Sequence, residues 1–166
     1  MKQMTALLTL ATTTLVLAQV ERGITSVTIA GKQISVEYGR PLLKGRDMLG
    51  RASTGMVWRT GADQAATLNA AADLVFGSVS VPKGRYSLFT KKVGSDQWEL
   101  LVNSKTGIWG TNHDPKQDLA SIPLQTLAND SSVEKFTIAL NPDGTDACDL
   151  VLSWGDRSLR TAFKVK

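Results

Sequence analysis

The sequence predicts an all-β protein with little or no helix, folded as a single antiparallel β-sandwich of the jelly-roll or immunoglobulin-like kind. From Ser26 onward, segments rich in Val, Ile, Thr, Leu and aromatic residues are interrupted by Gly, Asn, Asp or Pro at roughly ten-residue intervals, which is typical of such sandwiches. Apolar and polar residues alternate in Phe136–Leu140, which indicates a strand with one buried face. The single cysteine, Cys148, excludes an internal disulfide, and its apolar surroundings predict a small buried side chain.

The strands and turns follow from local composition. The predicted strands lie near Val27–Ile29, Gln33–Tyr38, Ala66–Asn69, Leu74–Val79, Gly84–Lys91, Trp98–Asn103, Ile122–Leu127, Val133–Leu140, Cys148–Trp154 and Leu159–Lys164. Hairpin turns are predicted at Ala30–Lys32, Val93–Asp96 and Asn141–Gly144, because Gly, Asn and Asp accommodate positive φ angles. The segment Arg46–Ala52 is the one helical candidate, and it is too short for more than a turn or two.

The N-terminus has the pattern of a secretory signal peptide. Lys2 is followed by an uncharged, apolar run, Thr5–Ala18, which is too short to span a bilayer and ends in small residues. We therefore expect a signal peptide over residues 1–18, cleavage after Ala18, and one sandwich domain over residues 19–166. This pattern predicts a periplasmic or secreted protein without a membrane span after cleavage.

Positive charge is concentrated in one part of the chain. The full sequence has a net charge of +4, and loss of Lys2 with the signal peptide lowers it to +3. Residues 40–59 alone carry a net charge of +4, because this stretch contains five basic residues and a single acidic one, Asp47. A local cluster of this kind indicates an anionic ligand or ion pairs, and it argues against nucleic acid as a partner.

The basic cluster lies on an irregular segment. Pro41 and Gly45 interrupt any regular strand or helix there, so the neighbouring basic side chains are expected on a loop, where binding residues commonly lie. Arginine recognises carboxylate, phosphate or sulfate through two parallel hydrogen bonds. An alternative stays open, in which Arg40 and Arg59 pair with Glu37, Asp63 or Asp73 and fix the loop to the sheet.

A second polar segment, Trp109–Asp114, contains the single histidine, His113. A metal site formed by His113, Asp114 and Asp118 is not favoured, because one histidine without further strong ligands is a poor zinc site. No Gly-x-Ser-x-Gly motif marks a nucleophile. We predict no metal and no cofactor. The predicted ligand-binding residues are Tyr38, Arg40, Lys44, Arg46, Trp58, Arg59, Asp63, Trp109, Asn112 and Asp114.

Four motifs carry a resemblance to a known family. They are Tyr38–Pro41 followed by Lys44–Arg46, then Val57–Ala62, then Gly84–Thr90, then Trp109–Thr111. In this order they resemble the exported bacterial family catalogued as domain of unknown function 2911, over nearly all of the chain after the signal peptide. The resemblance implies a secreted or periplasmic all-β domain of this length, and it implies no activity.

These observations favour a binding module whose cationic and aromatic loop takes a small anion or an acidic glycan. Two alternatives stay open. The first is a structural or interaction domain in which the arginines form an internal ion-pair network. The second, less favoured, is a hydrolase that uses Asp63, His113, Asp114 or Asp118 beside the cationic cluster.

Overall fold

A computed structural model describes residues 20–166, and the predicted signal peptide, residues 1–18, lies outside them. Most of the described chain is strand, and turns and loops form nearly all of the rest. The strands are β1 (Arg22–Ile29), β2 (Lys32–Gly39), β3 (Val57–Trp58), β4 (Ala66–Ala70), β5 (Leu74–Phe76), β6 (Val79–Val81), β7 (Gly84–Lys92), β8 (Trp98–Asn103), β9 (Asp118–Asp143) and β10 (Ala147–Val165). Within residues 20–166 a 3₁₀ turn, Pro115–Gln117, is the sole helical element.

All strand pairs are antiparallel, in the order β1-β2-β4-β7-β8-β9-β10-β5-β6, and β3 pairs with β7 beyond the end of β4. The sheet folds over at β9. Its first part, up to Leu124, pairs with β8, and from Gln125 onward it pairs with β10. One strand thus belongs to both layers of an open sandwich that is not closed into a barrel.

One hydrophobic core fills the space between the layers. The first layer contributes alternate residues of its strands, among them Val36, Leu68, Leu88 and Leu100; the second layer contributes residues such as Phe136, Ile138, Leu150, Leu152 and Phe163. These side chains are almost completely buried. The period-2 alternation of the sequence therefore corresponds to the inner faces of the strands.

The predicted all-β class is confirmed, and several element predictions are corrected. Arg46–Ala52 forms turns and no helix. Leu74–Val79 is divided into β5 and β6, because Gly77 adopts a positive φ of 58°. The last four predicted strands are two long ones, β9 and β10, whose pairing continues past irregularities on either side of Gly155, which has a φ of 65°.

An aromatic cluster joins the two layers. Trp58 of the two-residue strand β3 stacks on Trp154 of β10, with ring centroids 5.4 Å apart and planes 15° apart. Phe136 of β9 meets the Trp58 ring edge-on at 4.9 Å and lies 5.6 Å from the ring of Tyr38. Such contacts add about 0.5–1.5 kcal/mol per pair beyond the area buried. Although β3 is very short, it places Trp58 against the core.

A close backbone contact adjoins this cluster. Gly39, at the end of β2, lies directly against the backbone of Ala62, and a Cβ built on Gly39 would overlap the Ala62 carbonyl oxygen. Gly61 completes the contact with a φ of 148° and accepts a hydrogen bond from Nε1 of Trp58 (3.1 Å). The end of β2 and the loop after β3 therefore approach so closely that only glycine can occupy these positions.

Substitution of Gly39 by alanine should lower the free energy of unfolding by about 3 kcal/mol, since a backbone clash cannot be relieved by side-chain rotation. Urea denaturation measures this loss. Gly31→Ala is the control, because Gly31 has a φ of 73° but no atom within 4 Å of the new Cβ. It should cost about 1–2 kcal/mol through backbone conformation alone. An equal loss in both variants would contradict the importance of the contact.

Cys148 is fully buried on β10, as the sequence predicts. Burial, together with the neighbouring Asp149, raises the pKa of its thiol to about 11. Because the thiolate is the reactive form, the folded protein should be resistant to a thiol reagent at pH 8, and the urea-unfolded chain should react at once. Equal labelling rates in the two states, followed by absorbance, would contradict this placement.

Candidate functional site

The loop after β2 runs along the second layer and forms one side of a cationic groove. Its backbone is fixed to β9: the Leu43 amide donates to the Glu134 carbonyl (2.7 Å), and the Phe136 amide donates to the Pro41 carbonyl (3.0 Å). This pairing brings the basic side chains of the loop next to Lys135 of β9. The groove has a volume of about 400 Å³ and is lined by Val20, Glu21, Arg40, Pro41, Leu42, Lys44, Arg46 and Lys135.

Arg40 and Lys135 share one carboxylate in this cationic groove. Nζ of Lys135 donates to Oε2 of Glu21 (2.7 Å), and Nη1 of Arg40 donates to Oε1 (3.2 Å). The other nitrogens of Arg40 donate to the Phe136 carbonyl and to the Thr137 hydroxyl. Lys135 and, more weakly, Arg40 hold the pKa of Glu21 below its usual value, so Glu21 is ionised at neutral pH.

The other two cations of the groove have no acidic partner in the described part of the chain. The Arg46 guanidinium donates to two backbone carbonyls, those of Leu43 (3.0 Å) and Leu42 (3.2 Å). Lys44 is exposed and has a φ of 51°, and its backbone amide donates to the Glu134 carboxylate (3.0 Å). The five charged side chains of the groove therefore leave three positive charges unbalanced.

Two of the three predicted aromatic site residues, Tyr38 and Trp58, pack in or against the core and do not line this groove. Tyr38 is buried, and its hydroxyl donates to the Ile138 carbonyl (3.3 Å). Trp58 is partly buried in the aromatic cluster, and its indole N–H donates to Gly61. The polar atoms of both side chains are thus bonded to the protein backbone.

Arg59, Asp63 and Trp109 meet at a different place, where the loop after β3 contacts the segment that follows β8. The Gly110 amide donates to the Asp63 carbonyl (2.9 Å), and Nη1 of Arg59 donates to the same oxygen (3.4 Å). A Cβ on Gly110 would overlap the Arg59 side chain. Arg59 therefore bonds a carbonyl and no carboxylate, while Trp109 is 49% exposed and Asn112 is exposed.

The loop after β3 has an unusual backbone at this junction. Thr60 and Asp63 have φ angles of 52° and 61°, a region that non-glycine residues rarely adopt. The buried hydroxyls of Thr60 and Thr90 lie 2.6 Å apart, and Oδ2 of Asp63 accepts from the Val20 amide (3.4 Å). Tertiary bonds from several strands hold this conformation.

His113 and Asp118 form a pair in a second groove. Nε2 of His113 lies 3.0 Å from both carboxylate oxygens of Asp118. Asp114 instead caps the 3₁₀ turn, with Oδ1 accepting from the Lys116 amide (3.1 Å). No three acidic, His or Cys side chains among residues 20–166 are grouped to hold a metal ion. The second groove shares no lining residue with the cationic groove, so the cations do not surround His113.

The structure thus divides the predicted site residues among three places. Arg40, Lys44 and Arg46 line the cationic groove, two aromatic residues lie in the core, and the remainder lie along the loops at 59–63 and 109–114. Sequence reasoning missed Glu21 and Lys135. No local sequence pattern identifies either residue as part of a site, because each one reaches the groove only through strand pairing.

The family model described as "Protein of unknown function (DUF2911)" matches residues 21–163 of the chain. No curated protein and no solved structure matches the chain significantly. Within residues 20–166, no helix has the length and apolar character required to cross a membrane.

The Glu21 contacts predict how its carboxyl group titrates. In the wild-type protein the midpoint should lie below 4.5, and Lys135→Met should raise it more than Arg40→Met does, because Lys135 is the larger cause of the shift. Carbon-13 NMR of the Glu21 carboxyl group measures the midpoint. Lys91→Met, which alters the other groove, should leave it unchanged. A midpoint insensitive to Lys135→Met would contradict the geometry.

Proposed function

The chain belongs to this family of proteins of unknown function, and from that premise we propose that it is a binding module whose cationic groove takes a small organic anion or the acidic group of a glycan. The observation that carries the proposal is the charge imbalance: four cations line the groove beside a single carboxylate, Glu21, which pairs with only two of them, Arg40 and Lys135. Charges of one sign in a concave surface attract and retain a ligand of the opposite sign.

The cations have different roles in this proposal. Arg40 is held by Glu21, Thr137 and the Phe136 carbonyl, so it acts mainly in shaping the groove. Lys44 and Arg46 lie on the loop without acidic partners, and they are the groups available to an incoming carboxylate, phosphate or sulfate. A planar guanidinium recognises such oxyanions with directional hydrogen bonds.

Apolar surface in the groove restricts the ligand further. Leu42 is 40% exposed, and Val20 and Pro41 lie beside it. The volume of about 400 Å³ is within the range of small-molecule sites. An organic anion with an apolar portion matches this lining better than an inorganic ion does.

Export would suit this role. Cleavage of the predicted signal peptide after Ala18 would leave Gln19 as the first residue, one position before the groove residue Val20 in the sequence. We therefore include a periplasmic or secreted location in the proposal, where the groove meets ligands outside the cytoplasm.

The contacts of Arg40 favour a second candidate, in which the cluster is a structural clamp between β2 and β9. The binding hypothesis and this alternative differ at Lys44 and Arg46, which a clamp does not require. A hydrolase centred on the cationic groove is not supported, because the described lining contains no His, Ser, Cys or Asp.

Calorimetric titration of the processed protein with benzoate, citrate, galacturonate oligomers, phosphate and sulfate tests the proposal. We expect binding that weakens as salt increases. The double variant Lys44→Met, Arg46→Met should lose about a hundredfold or more in affinity, since each of the two charged hydrogen bonds contributes about 1.5–3 kcal/mol.

Lys105→Met is the matched control, because Lys105 is an exposed lysine outside the cationic groove. Its affinity should equal that of the wild type. Absence of binding by every anion in the series would overturn the proposal. Equal loss of affinity in the control and in the double variant would do the same, since it would show a non-specific charge effect.

A further inference from the structure

The second groove crosses the outer face of the first layer, on the side away from the core. It has a volume of about 510 Å³ and spans β3, β7, β8 and β9. Strand register brings its floor together: Val57 pairs with Lys91, Lys91 with Glu99, and Leu101 with Ser121. His113, Pro115 and Leu119 rise beside this floor. We call it the outer groove.

The wall of the outer groove is fixed to the sheet by Asn103, which is fully buried at the end of β8. Nδ2 of Asn103 donates to Oδ1 of Asp118 (2.7 Å) and to the Asp114 carbonyl (2.9 Å). Oδ1 of Asn103 accepts from the Lys105 amide (3.0 Å). One side chain therefore holds both ends of the segment between β8 and β9, so a ligand would meet a preformed wall.

His113 is oriented by this arrangement. Its ring packs on Phe89, with centroids 4.6 Å apart, and its side chain is 15% exposed in the outer groove. Because an ionised carboxylate only accepts hydrogen bonds, Asp118 fixes the proton on Nε2. In the neutral ring Nδ1 is then an acceptor, and the described residues give it no partner.

The polar groups of the outer groove include both donors and acceptors. Lys91 supplies an ammonium group, and the neutral ring of His113, with its proton on Nε2, supplies Nδ1 as an acceptor. Ser121 donates to Oε2 of Glu99 (2.7 Å), which leaves Oε1 of Glu99 as a second acceptor. An anionic ligand would face Glu99 and Asp118, and a cationic ligand would face Lys91. Neutral hydroxyl groups, which donate and accept, match this set.

Apolar surface accompanies these groups. Leu119 is 58% exposed and Val57 is 36% exposed, both in the lining of the outer groove. Sugar rings present C–H faces to apolar side chains and hydroxyl edges to polar ones. We propose that the outer groove is a binding site for a neutral oligosaccharide, separate from the cationic groove.

The test is an NMR titration of the nitrogen-15-labelled processed protein with cellotetraose, xylotetraose and maltotetraose, at millimolar concentration. We expect at least one of them to shift amide signals of Val57, Lys91, Glu99 and Ser121, while signals of Lys44 and Arg46 stay unchanged. A galacturonate tetramer should shift the outer-groove signals less than the neutral sugar does, because of Glu99 and Asp118.

Two exposed leucines give matched variants. Leu119→Ser should weaken binding of the neutral sugar about fivefold through lost apolar contact, and Leu42→Ser, in the cationic groove, should have no effect. Lys91→Met provides a second variant on the floor of the outer groove and should also weaken binding. The proposal is overturned if no neutral sugar shifts these signals, if the shifts map to the cationic groove, or if Leu42→Ser weakens binding as much as Leu119→Ser.

Discussion

Gly39 and Ala62 approach so closely that their backbones leave no room for a side chain at position 39. This contact brings the end of β2 against the loop that follows β3, and it adjoins the stacking of Trp58 on Trp154. Gly110 packs against Arg59 from the other side of the same loop. Three segments distant in sequence therefore meet through two glycines and one indole ring, and an added side-chain atom at either glycine would push these segments apart.

This junction also determines where the two grooves form. The chain leaves Gly39 along β9 and carries Arg40, Lys44 and Arg46 to Lys135, which creates the cationic groove. The segment that contains Gly110 leads into His113, which forms the wall of the outer groove. Both grooves thus depend on the same packing arrangement. They lie at different places and share no lining residue. Some of the residues that look like a binding motif in the sequence are therefore structural. They help to position the other residues of that motif.

Local patterns were sufficient to predict much of the fold. Trp98–Asn103 is a strand with the predicted bounds, and the hairpin at Ala30–Lys32 is present because Ala30 and Gly31 both adopt positive φ. The sequence could not show that four predicted strands join into β9 and β10. Polar residues such as Asn129 are typical of loops, and their pairing in a strand is not visible when the residues opposite them are unknown. Strand β3 escaped prediction because two residues carry no periodicity. The site was harder still: Tyr38 and Arg40 are near neighbours in sequence, yet one is buried and the other lines a groove that Glu21 and Lys135 complete.

The central claim is that the aromatic residues of the basic segment stabilise the core while its cations bind the ligand. Parallel measurement of the free energy of unfolding and of anion affinity in Trp58→Leu and in Lys44→Met, Arg46→Met tests it most directly. Trp58→Leu should lose about 2 kcal/mol of stability, because it shortens a large side chain that packs against the core, and it should retain affinity under conditions where it is folded. The double cation variant should keep its stability and lose affinity. A folded Trp58→Leu protein without affinity, or a double cation variant that unfolds, would contradict the division of roles.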